Sequence, residues 1–88
     1  MRIKKGFVLR NVCGEQVVSA EGIEQINFNK LVSMNASAAY LWESVAERDF
    51  DEEYLAKLLT DRYDVENDVA VGDAKAVIKI WTDNGLVE

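Results

Sequence analysis

An α+β fold is what this sequence predicts: a three-stranded antiparallel sheet followed by three helices. Up to residue 34 the apolar residues tend to alternate, in short runs broken by Cys13-Gly14 and by polar residues. Beyond it they recur at spacings of three and four, behind polar caps. Pro is absent from the 88 residues, so glycines and caps are the punctuation.

The first two strands are "FVLRNV" (7–12) and "EQVVSA" (15–20). A two-residue link ending in Gly predicts a hairpin, with Val12 opposite Glu15. That register places Phe7 and Leu9 on one face with Val18 and Ala20. The third strand is "INFNKLVSM" (26–34). Phe28, Val32 and Met34 line one side of it, while Asn27, Asn29, Leu31 and Ser33 line the other.

In the first helix Asn35 caps, and Ala38, Leu41, Trp42 and Val45 form the amphipathic stripe. Asp51 caps the second, with Phe50 and Leu55 placed as a hydrophobic staple. Its stripe is Leu55, Leu58, Leu59 and Tyr63. The third helix runs from about Asn67 to Asn84. Gly85 suits the left-handed position beyond its end, and Leu86 folds back over it. Asn35, Trp42 and Trp81 are assigned to structure, as cap and core.

The third helix is more apolar than one core face requires. At 100° per residue, Ala70, Ala74, Val77, Ile78 and Trp81 cluster in one arc. Val69, Ala76 and Ile80 make a second arc beside it, with Asp73 between, and the total approaches ~200°. Two readings follow. Either the helix is central and buried all round, or the second arc lines a groove. Gly72, inside the helix, marks either a close backbone approach or a tolerated defect.

Composition excludes several functions. The formal net charge of −6, with ten basic and 16 acidic residues, opposes a phosphate-binding surface. With no His and one Cys, there is no imidazole base, no redox pair and no metal site of those ligands. "DFDEE" reads as a helix start, where acids favour the N-terminal dipole. The expectation is a non-enzyme without a cofactor or metal. Lone Cys13, with no signal peptide and no membrane-spanning apolar run, fits a single cytoplasmic domain over residues 1–88 that binds neither nucleic acid nor membrane.

"MNASAAYLWESV" carries a resemblance. A strand ending in an apolar residue, then Asn, small residues and the pair Leu41-Trp42, resembles the coenzyme PQQ synthesis protein D family. These are small recognition domains for ribosomally made, modified peptides. The acid-started "FDEEYLAKLLTDRYDV" fits as well, as do Asp73, Val77-Ile78, Trp81 and the ending Gly85-Leu86. The match runs from Phe7 to Glu88. Two departures are "AERDF", where the family often has Asp-Gly, and Val77, where an aromatic is common.

The resemblance implies a winged-helix-like, non-catalytic domain that binds the leader segment of a precursor peptide. The leader adds as a strand to the edge of the third strand, against the third helix, and a radical-SAM or other peptide-modifying enzyme acts on it. Carried onto this chain, the peptide-binding residues are Asn29, Lys30, Leu31, Val32 and Ser33 on the strand. On the helix they are Val69, Asp73, Ala76, Val77 and Ile80. A winged-helix DNA-binding protein is the rival reading, permitted by helix order and opposed by the acidic balance. A homodimer using the same groove on itself is a third.

Overall fold

The structure, a computed structural model, describes residues 1–20 and 31–88. Strands β1 (Phe7–Val12) and β2 (Glu15–Ala20) form the expected hairpin, with Val12 opposite Glu15. Both turn residues have positive φ, 53° at Cys13 and 84° at Gly14, the pattern of the turn whose twist matches its strands. Asn11 steadies the turn, its Oδ1 accepting from the Gly14 N–H at 3.1 Å. Leu9 pairs with Val18 and Phe7 with Ala20, so the four share a face as expected. That face meets the core: Val18 is fully buried, and Phe7 and Leu9 pack against the cluster.

Strand β3 (Val32–Met34) pairs antiparallel with β2, giving the sheet order β1-β2-β3. Of the run expected from 26 to 34, the structure describes only residues 31–34. Residues 26–30, with Asn29 and Lys30 among them, lie outside the described residues. Among the described residues the ladder with β2 runs to the Val18–Val32 pair, and Leu31 precedes it in the chain.

One residue joins this strand to α1 (Ala36–Val45). Asn35 keeps extended backbone angles, and its Oδ1 accepts from the Ala38 N–H at 2.8 Å and from the Ser37 hydroxyl at 3.0 Å. The side chain thereby satisfies an N–H that the first helical turn leaves without a partner. Strand direction and helix axis are fixed together at this point. The buried stripe of α1 is Ala39, Leu41, Trp42 and Val45, with Ala38 only partly buried.

Asp51 caps α2 (Glu52–Arg62), accepting from the Tyr54 N–H at 2.8 Å. Phe50 and Leu55, the staple residues, are both buried. In α3 (Asn67–Asp83) the inward residues are Ala70, Ala74 and Trp81. The helix closes as its sequence requires. Gly85 adopts φ +70°, its N–H reaches the Thr82 carbonyl at 3.0 Å, and the Leu86 N–H reaches Trp81 at 2.9 Å. These two bonds are the Schellman pair, and Leu86 lies buried over the helix end.

The centre of the core is aromatic. Trp81 stands edge-on to Trp42, with ring centroids 5.3 Å apart, and to Phe50 at 5.9 Å. One feature of the packing has no periodic signal in the sequence. Ile3 pairs with Val87, flanked by bonds from Arg2 N–H to the Glu88 carbonyl at 3.0 Å and Lys4 N–H to Leu86 at 2.9 Å. The local charge of "RIKK" masks a buried side chain, since Ile3 belongs to the core.

Candidate functional site

Exposure along helix α3 rules out the first of the two readings of its apolar surplus. Val69 and Ile80 are each 51% exposed, and Ala76 and Asp73 are exposed too, so the helix is not buried all round. Spacings of four, three and four residues place Val69, Asp73, Ala76 and Ile80 in one line along the helix. Val77 borders that line and packs partly against the core. An isolated exposed Leu or Val on a surface is ordinary; a row of three apolar residues on one helix face is less so.

Gly72 lies beside this strip, three residues after Val69 and four before Ala76. No described atom lies within 4 Å of where a Cβ would stand, so packing among the described residues does not demand glycine there. Gly72→Ala is therefore expected to raise the unfolding free energy by about 0.5–1 kcal/mol. A urea melt checks this, and a loss of stability would reveal a close approach that the strip's geometry does not show.

On β3, side-chain directions follow the pairing register. Met34 is buried and Val32 is half-buried against the core, which leaves only the backbone of Val32 for a partner. Ser33 is exposed on the other face. Among the described residues β3 pairs with β2 alone. Two shallow hollows flank it. One lies at the junction by Gln16, Met34 and Asn35, and the other on the outward face by Val12, Val17, Leu31 and Ser33. Neither is lined by a residue of α3, which packs principally on α2. The described residues thus bring the helix half of the expected site together as a strip, and the strand half as a separate short edge.

Charges around the strip are unevenly engaged. Lys75 pairs with Glu52 at 3.9 Å and Lys79 with Asp83 at 3.0 Å, whereas Asp73 has no ion pair among the described residues. Those residues also hold no group of three or more His, Cys, Asp or Glu that could bind a metal ion. No described helix is long and apolar enough to cross a membrane.

A protein of known structure shares this architecture. A solved structure described as TbiB1 in complex with the TbiA(beta) leader peptide superposes with a TM-score of 0.72 at 16% identity. The likeness covers 100% of this chain and 95% of that one, and at such identity it shows the fold. No curated protein matches the chain in sequence. The family model described as coenzyme PQQ synthesis protein D (PqqD) matches residues 15–87, from the start of β2 through the Schellman close of α3. With most of its length matched, the chain belongs to the PqqD family.

Proposed function

We propose that this chain is a single-domain, non-catalytic module that binds the leader segment of a ribosomally made precursor peptide and presents it to a modifying enzyme, a radical-SAM enzyme among the candidates. The observation that carries the reading is the exposed apolar strip of α3, on a helix whose opposite face already completes the core. Family membership and the likeness to a protein solved with a leader peptide support it. Strand addition at β3 supplies affinity through backbone N–H and C=O groups, while the strip supplies side-chain selectivity. Asn29, Lys30, Leu31, Val32 and Ser33 are assigned to the strand side. Val69, Asp73, Ala76, Val77 and Ile80 are assigned to the helix side.

The test is amide shift mapping with the leader of a short precursor encoded beside a peptide-modifying enzyme. Perturbed amides are expected on the strand through Met34 and along α3. Clustering on α2 or the β1–β2 hairpin would refute the assignment. The same sample serves a second check, because the peptide should leave with its mass unchanged unless the enzyme is added.

A further inference from the structure

We propose that Asp73 makes the α3 strip selective for a peptide carrying a basic side chain between two apolar ones. The proposal rests on the peptide-binding reading and adds the charge pattern of the ligand. Asp73 is the charged member of a line whose other members are Val69, Ala76 and Ile80, and all four are exposed. At 1.5 Å per residue the line is about 16 Å long. An extended segment rises ~3.3 Å per residue, so five or six residues span it and alternate ones face the helix.

Spacing then sets the pattern. Facing side chains of the peptide stand ~6.6 Å apart, close to the ~6 Å between Val69 and Asp73. The next facing position falls between Ala76 and Ile80. An apolar residue, a spacer, a Lys or Arg, a spacer and a second apolar residue fit this sequence of contacts.

Charge argues in the same direction. The neighbouring cations Lys75 and Lys79 are engaged by Glu52 and Asp83, and among the described residues none pairs with Asp73. A docked apolar segment would strip water from the Asp73 carboxylate, which is unfavourable unless an opposite charge arrives with it. Discrimination thus comes from the penalty on neutral and acidic peptides as much as from attraction to basic ones. The net charge of −6 favours a cationic ligand at long range also.

A phage library of random dodecapeptides, panned on the full chain, tests this. The wild type should enrich Lys or Arg two residues from an apolar side chain. Asp73→Lys should enrich Asp or Glu at that place. Asp61→Lys makes the same charge change at an exposed position of α2 and should select as the wild type does. One enriched peptide, synthesised with Lys and with Gln, should lose about twofold to fivefold in affinity for the wild type and little for Asp73→Asn. Identical selections by wild type and Asp73→Lys would overturn the charge assignment and leave peptide binding standing. Failure of the wild type to enrich any sequence would overturn both.

Discussion

Trp81→Ala should lower the unfolding free energy by about 3–5 kcal/mol, the range for removing a large aromatic from a core. Trp81 is 1% exposed, and its ring is the one that both Trp42 and Phe50 meet edge-on. Losing it removes buried apolar area and two aromatic contacts at once. It also opens a cavity where α1, the start of α2 and the last turns of α3 converge. Neighbouring backbone has little freedom to collapse into that space, because the Trp81 carbonyl is held by Leu86 and the Phe50 N–H by the Met1 carbonyl. Typical domain stabilities are about 5–15 kcal/mol, so a small domain would be left near its unfolding midpoint. Denaturant melts read this directly, with Trp81→Phe expected to lose less. A loss below ~1 kcal/mol would mean that the indole does not organise the core.

Ile80→Asp should have the opposite profile: little change in stability and a loss of leader binding of about tenfold or more. Ile80 is half exposed, so its replacement removes little buried area in the free protein. In the complex the new carboxylate would face apolar side chains with no partner, and it would stand two helical turns from Asp73 on the same line. Isothermal titration with the leader measures the binding, and a melt of the free variant separates it from folding. Alanine at Ser33 is the matching control, since strand addition there uses backbone groups. Unchanged affinity in Ile80→Asp would remove the strip from the binding site.

Much of the architecture was legible because its signals are local. The Cys13-Gly14 turn, the Asn35 and Asp51 caps and the Gly85 close each involve residues within a few positions of one another. Hydrogen bonds across such short separations leave a readable pattern of residue types. The resemblance to the PqqD family was legible for a related reason. Its pieces are these same junctions in a fixed order, and the family match spans them.

The candidate site was legible in part. Two apolar arcs on α3 were visible as periodicity, and so was the position of Asp73 between them. Which arc faces solvent was not, because periodicity records the angles around a helix and not what lies against each side. A helix wrapped on all sides and a helix with one open strip share the same pattern. The packing of α3 on α2 and on the aromatic centre decided that Val69, Ala76 and Ile80 are exposed.

By itself, then, the sequence determined the order of strands and helices, the hairpin register, the caps and the apolar stripes of the helices. Those are consequences of backbone geometry and of burying apolar side chains at regular spacing. Tertiary structure alone decided the exposure of the α3 strip and the burial of Ile3 against the segment at Leu86 to Glu88. Each of these depends on residues far apart in the chain meeting across the core. A buried Ile beside three basic residues has no local periodicity to announce it, and only its distant partner makes the position apolar.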